Sequence, residues 1–175
     1  GQPVVIDNRP GAGTAVGAGF AAKAAPDGHT LFISSGSTFT VNPALRPNLP
    51  YDAVKSFDPI GIVGRIPLIV LANKSVPANN VKAFVAAVKA APGSLTYASF
   101  GSGTTSHFTA EIVLQAVGGQ MMHVPYKGSA PAMTDLIGGQ VAYSVDTVTA
   151  ALPQLKAGKI KASAVTTAKR SSQLP

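Results

Sequence analysis

The chain reads as an α/β protein with mostly parallel sheets, and two observations carry that reading. Short β-branched runs alternate with Ala-rich helical stretches at intervals of about 20 to 30 residues, the rhythm of strands joined by crossover helices. Most of the runs are continuously apolar rather than alternating, which suits strands covered on both faces. The candidate strands are Val4–Asn8, Thr30–Ser35, Leu68–Ala72, Leu95–Ser99, Met122–Tyr126, Val141–Asp146 and Ile160–Thr166. The candidate helices are Thr14–Ala25, Asn79–Ala91, Thr105–Val117, Ala130–Ile137 and Thr149–Ala157. The second is the clearest: Val81, Phe84, Val85 and Val88 follow i, i+3, i+4, i+7, Lys82 and Lys89 fall elsewhere, and Pro92-Gly93 stops it. The stretch Pro43–Pro67, with prolines at 43, 47, 50, 59 and 67, breaks the alternation and reads as the edge of one lobe leading into a crossover.

Composition narrows the function. A chain of 175 residues has room for one compact domain or two small lobes. Charged residues make up 12%, against about 25% in an average soluble protein, so polar surface must come from hydroxyls, amides and backbone. With 18 Gly and 14 Pro, tight turns and close backbone approach are expected. The formal charge of +7 attracts anions without saying which. The lack of Cys excludes disulfides, thiolate catalysis and Cys-ligated metals. The longest strongly apolar run, Ile66–Ala72, is far below the ~20 residues of a membrane-spanning helix. Gly1–Asp7 have no basic and apolar segments of a secretory signal, so any such signal is expected outside this sequence.

Among the motifs, Asn8-Arg9-Pro10-Gly11-Ala12-Gly13-Thr14-Ala15-Val16-Gly17 follows a candidate strand and opens a helix, but Val16 stands where a dinucleotide fingerprint needs its third Gly. It reads as a tight strand-to-helix turn. Two hydroxyl-rich loops stand out instead, each just beyond a strand: Ser34-Ser35-Gly36-Ser37-Thr38, and Ser99-Phe100-Gly101-Ser102-Gly103-Thr104-Thr105-Ser106, which runs directly into a helix. Ligands of open parallel sheets bind beyond the carboxyl ends of strands, where a helix start offers unpaired amides and partial positive charge. Three or four charge-assisted hydrogen bonds of roughly 1.5 to 3 kcal/mol each would account for most of a micromolar affinity, about 8 kcal/mol. An anion could therefore be held there without Arg.

Other chemistries fare poorly. Gly101-Ser102-Gly103 lacks the upstream Gly of a nucleophile elbow; His29, His107 and His123 could each partner a Ser, but His29 lies in a Pro-Asp-Gly-His turn and His123 within a strand, and neither has a local supporting Asp. The seven carboxylates are scattered, so neither a metal nor another cofactor is expected. Asp146, ending a strand, could meet a ligand ammonium or hydroxyl, or cap the next helix. Tyr126-Lys127-Gly128 closes another strand, where Lys127 could complement an anion or stay solvated. The late basic residues Lys156, Lys159, Lys161, Lys169 and Arg170 are not interleaved with aromatics, so nucleic acid is not an expected partner.

Read together, several segments resemble one family. Asn8-Arg9-Pro10-Gly11-Ala12-Gly13, Ala24-Ala25-Pro26-Asp27-Gly28-His29-Thr30-Leu31, Asn42-Pro43-Ala44-Leu45, Leu49-Pro50-Tyr51-Asp52, Val124-Pro125-Tyr126-Lys127-Gly128 and Gly138-Gly139-Gln140-Val141 resemble the substrate-binding proteins of tripartite tricarboxylate transporters, the Bug family. Ala164-Val165-Thr166 to Arg170 and Leu174-Pro175 resemble that family's return toward its first lobe. The resemblance implies a two-lobe, periplasmic-binding-protein-like (type II) receptor, periplasmic and without catalysis. It would close on a small carboxylate and present it to the membrane subunits of a transporter, without inserting in the membrane itself. It places residues 1–66 in the first lobe, 67–165 in the second with its crossover strands, and 166–175 at the return. It carries ligand contacts to Ser35, Gly36, Ser37 and Thr38, to Gly101, Ser102, Gly103, Thr104 and Thr105, and to Tyr126, Lys127, Gly128 and Asp146. Against that family the sequence reads as an internal fragment with an incomplete first lobe. Two alternatives stay open: a cytosolic effector-sensing domain of a transcription regulator, and an enzyme of acyl-transfer or lyase type working through Ser102.

Overall fold

The computed structural model describes residues 1–174. Pro175, the end of the return motif, lies outside the described residues. From Leu68 onward the chain forms β1 (Leu68–Asn73), α3 (Val81–Ala90), β2 (Thr96–Ser99), α4 (Thr105–Val117), β3 (Met122–Pro125), α5 (Ser129–Gly138), β4 (Tyr143–Thr147), α6 (Val148–Lys156) and β5 (Ile160–Val165). Before it come α1 (Ala15–Ala21), a π-helical turn at Ser37–Val41 and α2 (Asn42–Leu45). Each element expected after residue 67 is present, with ends displaced by about two residues at most, the usual fraying distance.

The five strands make one sheet in the order β3-β2-β4-β1-β5. β2 lies parallel to β3 and β4, whereas β1 is antiparallel to both β4 and β5. It follows that β2 through β5 all run one way and β1 alone runs against them. The expectation of mostly parallel sheets thus holds for strand direction but is corrected for pairing, since β1 inserts between β4 and β5. Its reversal sets both ends of the unit side by side. Ile69 of β1 pairs with Val165, the last residue of β5, and just beyond that pair the two segments exchange Thr166 N–H to Leu68 C=O (3.0 Å) and Leu68 N–H to Thr166 Oγ1 (3.1 Å). That edge is also where the C-terminal ends of β2, β3 and β4 lie.

The apolar runs are continuous because both faces of the sheet are covered. Ile69 and Leu71 of β1 pack with Ala132, Met133, Leu136, Val148 and Ala151 from α5 and α6. Val70 and Ala72 point the other way, into Phe84 and Val88 of α3 and Ala110 and Leu114 of α4, with Tyr97 and Tyr143 between. The helices begin on side-chain caps: Asn80 accepts the Ala83 amide (2.9 Å), Thr104 that of His107 and Thr147 that of Ala150. α4 and α5 end on Gly118 and Gly139 in the left-handed conformation.

The N-terminal segment departs from expectation. Val4–Asn8 and Thr30–Ser35 are not strands, and the helix expected over Thr14–Ala25 is confined to Ala15–Ala21. A strand exists only where a neighbouring chain meets its N–H and C=O groups, and among the described residues none lies beside these two runs. Their side chains are correspondingly bare: Val5 is 88% exposed and Ile33 75%. What does pack here is a small cluster of Ala15, Ala18, Tyr51, Phe32 and Phe57, with Phe32 stacked on Phe57 at 5.3 Å.

Asn73, at the end of β1, ties the sheet to the last turn of α5. Its Nδ2 donates to the carbonyls of Leu136 (2.6 Å) and Ile137 (3.2 Å), and its Oδ1 accepts the amide and hydroxyl of Ser75. Asn73→Ala leaves these buried groups unpaired and is expected to lower stability by about 2 kcal/mol. Urea unfolding followed by fluorescence of the Tyr97, Tyr126 and Tyr143 region checks it, an unchanged midpoint being the contrary result.

Candidate functional site

The two hydroxyl-rich loops meet. The Thr105 amide, at the first position of α4, donates to Ser37 Oγ across the junction (2.9 Å), and Ser37 Oγ also lies 3.4 Å from Thr105 Oγ1. Gly36 stands against the same residue: a Cβ on it would lie 3.6 Å from the Thr105 methyl. Ser37 and Thr38 are almost completely buried, whereas Ser35 and Gly36 are exposed. Thr38 sits at the centre of a hydroxyl chain, 2.5 Å from Ser34 Oγ and 2.6 Å from Thr14 Oγ1, and its carbonyl accepts the Tyr51 hydroxyl (2.8 Å).

A third segment joins them that the sequence reading had set aside as a turn. Residues 11–14 all have positive φ, including Ala12 (47°) and Thr14 (81°). Such conformations cost of order 1 to 3 kcal/mol each for residues with a Cβ and persist where the surroundings hold them. The holders are Asn42 and Arg46. Asn42 Nδ2 donates to the Gly13 carbonyl (2.7 Å), and Arg46 Nη1 to that of Ala12 (2.9 Å). Arg46 Nη2 reaches the other loop, at the Ser102 carbonyl (3.1 Å). Gly13, Thr14, Asn42 and Arg46 are not among the residues expected from the sequence, although Gly13 and Asn42 lie inside the motifs that carry the family resemblance. Nothing local in the sequence marks Arg46.

The second loop is shaped from beneath. Gly101, at φ 135°, donates its amide to Ser99 Oγ (3.1 Å), and a Cβ there would meet the Tyr126 carbonyl at 3.0 Å. Thr104 Oγ1 donates to the Gly101 carbonyl (2.7 Å). The Gly103 amide donates to His107 Nδ1 (3.2 Å), and the His107 ring stacks on His123 with centroids 4.0 Å apart. His123 Nε2 in turn lies 2.6 Å from Ser99 Oγ. Burial and, secondly, the neighbouring His107 push the His123 imidazole down to about 4, against a smaller upward pull from Glu111. Tyr97 stacks on the other side of His123 and gives its hydroxyl to Glu111 (2.5 Å); burial, then that bond, pushes its phenol up.

The remaining expected residues are placed differently. The Tyr126 hydroxyl donates to Asp135 (2.6 Å), and burial followed by that bond pushes it up to about 12. Asp146 is fully buried and accepts from Ser129 Oγ and from the Thr147 amide, both at 2.6 Å. Burial raises its carboxyl, while Ser129 and Thr147 pull the other way. Both side chains thus tie α5 to the sheet, and neither reaches the meeting point of the loops. Lys127 is exposed beside them. Among the described residues no three His, Asp or Glu side chains are grouped to hold a metal ion.

One strand-end edge thus carries the starts of α4, α5 and α6, and a hydroxyl-lined loop faces the first of them. Ligands of open α/β sheets bind at such an edge. The model of the tripartite tricarboxylate transporter family receptor matches residues 1–175, and the chain belongs to that family. It is 36% identical over 176 residues to Protein BugT of Bordetella pertussis, covering all of this chain and 54% of that protein. A solved structure described as a periplasmic transporter superposes with a TM-score of 0.95 at 42% identity, over 98% of this chain and 57% of the other. The R. palustris protein Rpa4515, solved with adipate, superposes at 0.92 and 35% identity, over 95% and 56%. The chain spans about half the length of the curated relatives it matches.

The histidine stack implies a pH dependence. Between about 4 and 6.5 the unfolded chain takes up a proton that folded His123 refuses, so stability falls as pH drops through that window. The urea midpoint is expected to decline from about pH 7 to about pH 5, and His123→Phe, which keeps the stack on Tyr97, to flatten that decline. Parallel pH profiles for the two proteins would contradict this.

Proposed function

We propose that the protein is an extracytoplasmic receptor that captures a small carboxylate between the Ser35–Thr38 and Gly101–Thr105 loops and delivers it to the membrane subunits of a tripartite transporter. In this reading residues 1–66 belong to one lobe, 67–165 to a second, and the Leu68/Thr166 crossing is the hinge. The observation that carries it is the Thr105 amide, the first free donor of a 13-residue helix, aimed across the junction at Ser37 Oγ. A carboxylate oxygen entering there takes that amide in place of the hydroxyl and gains the partial positive charge of the helix start. Ser37, Ser102, Thr104 and Thr105 supply further donors, and the net charge of +7 favours approach of an anion. Membership of the receptor family and the adipate bound to Rpa4515 support a carboxylate as ligand and the periplasm as compartment. The output is binding and lobe movement rather than bond making.

Tyr126, Lys127 and Asp146 enter this function indirectly. Asp146 holds the start of α5 against β4, and Lys127 adds positive charge at the same edge.

The test removes the Thr105 amide together with the Thr105 hydroxyl, and Thr105→Ala, which keeps the amide, separates the two contributions. Proline is accommodated at the first helical position, and Thr104 before it is already extended (φ −89°, ψ 164°). In the complete protein, Thr105→Pro is expected to weaken binding of the best acid in a panel of dicarboxylates by about tenfold to a hundredfold by calorimetry. Its helical circular dichroism is expected to stay intact. Unchanged affinity would remove the helix start from the proposal.

A further inference from the structure

Arg46 follows α2 directly, and its side chain touches both the turn at residues 11–14 and the Ser102 loop. Its two terminal nitrogens are divided between two stretches of chain 90 residues apart: Nη1 on the Ala12 carbonyl and Nη2 on the Ser102 carbonyl. The slot it occupies is cut to its shape. A Cβ on Gly13 would stand 3.4 Å from Nη2 and only 3.2 Å from the Ser102 carbonyl, and one on Gly103 would stand 3.6 Å from Nη2. Both glycines have positive φ, 61° and 74°, so backbone conformation and lack of side chain together admit the guanidinium. Among the described residues no carboxylate forms an ion pair with Arg46, whose guanidinium is partly exposed and donates to carbonyls.

We propose that Arg46 is the clasp that sets the spacing of the two lobes, a positioning residue whose planar fork joins the Ala12–Thr14 turn to the Ser102 loop and so holds the cleft closed. This rests on the two-lobe receptor reading above and adds the device that couples closure to ligand charge. Opening the cleft breaks the Ser102 bond and leaves the other, because Ala12, Asn42 and Arg46 belong to the same segment. An anion in the cleft meets an uncompensated guanidinium only when the loops are together, and therefore favours the closed form. Fixed fork geometry matters as well as charge: a lysine ammonium is a point donor on a flexible stem and does not reproduce two divergent bonds.

The experiment measures lobe spacing and ligand release in the complete protein, with spin labels at Lys23→Cys and Gln115→Cys, both exposed positions in a stretch that has no cysteine of its own. Arg46→Ala and Arg46→Lys are both expected to shift the ligand-free distance distribution toward the longer, open separation. Both are also expected to speed dissociation of a bound dicarboxylate by about tenfold with little change in association rate. A ligand-free distribution like that of the parent in Arg46→Ala overturns the clasp, and full rescue by Arg46→Lys overturns the role of the fork. A protein that binds no carboxylate at all would defeat the receptor reading instead, while the ligand-free distances would still report on Arg46. Arg46→Lys keeps the charge and most of the side-chain volume, so it reads the clasp even where Arg46→Ala unfolds.

Discussion

The reversal of β1 is the constraint from which the rest of the arrangement follows. Because β1 runs against its four companions, the chain enters the sheet at Leu68 and leaves it at Val165 on the same edge, and the two crossings are hydrogen-bonded to each other. That edge is also where β2, β3 and β4 end and where α4, α5 and α6 begin. Had β1 been parallel to β4, its start would lie at the opposite edge, and the N-terminal segment would be carried away from the helix starts. One antiparallel insertion therefore places the two chain crossings and three helix starts next to each other. It also explains the mixed pairing: direction is dictated by where the chain must enter, not by the preference of crossover units for parallel neighbours.

Few charges are needed for such a site. The chain is 12% charged, yet the junction is lined by Ser34, Ser37, Thr38, Thr14, Thr104 and Thr105, whose hydroxyls both donate and accept. Ser34, Thr38 and Thr14 bond one another, Ser37 bonds Thr105 and its amide, and Thr104 bonds the Gly101 carbonyl. The Asp146 carboxylate lies in the same sheet edge but is turned inward, where Ser129 and Thr147 compensate its burial.

Rigidity beneath the Gly101–Gly103 loop contrasts with strain in the turn at residues 11–14. His107, His123, Ser99 and Glu111 form a connected support under Gly101–Gly103. The turn at residues 11–14 is held in unfavourable backbone conformations by Asn42 and Arg46, which reach it from α2 and its end. The Gly101–Gly103 loop is held by residues of the sheet and of α4, and the turn by Asn42 and Arg46 of its own N-terminal segment, of which Arg46 alone also reaches Ser102.

The sequence by itself determined the α/β class, the elements after residue 67 and the two hydroxyl loops. Apolar period, caps such as Asn80 and Thr104, and stops such as Pro92-Gly93 and Gly118 are local signals that need no knowledge of neighbours. The tertiary structure alone decided the direction of β1, since an apolar run such as Ile69–Ala72 is equally suited to either pairing. It alone withheld strand structure from Val4–Asn8 and Thr30–Ser35, because a strand's hydrogen bonds lie outside the strand. It also turned the Tyr126 hydroxyl and Asp146 inward, and it brought Arg46 to Ser102 across 56 residues of chain. A bond between distant residues leaves no trace in the spacing of either, which is why local reading found the loops but not the side chain that joins them.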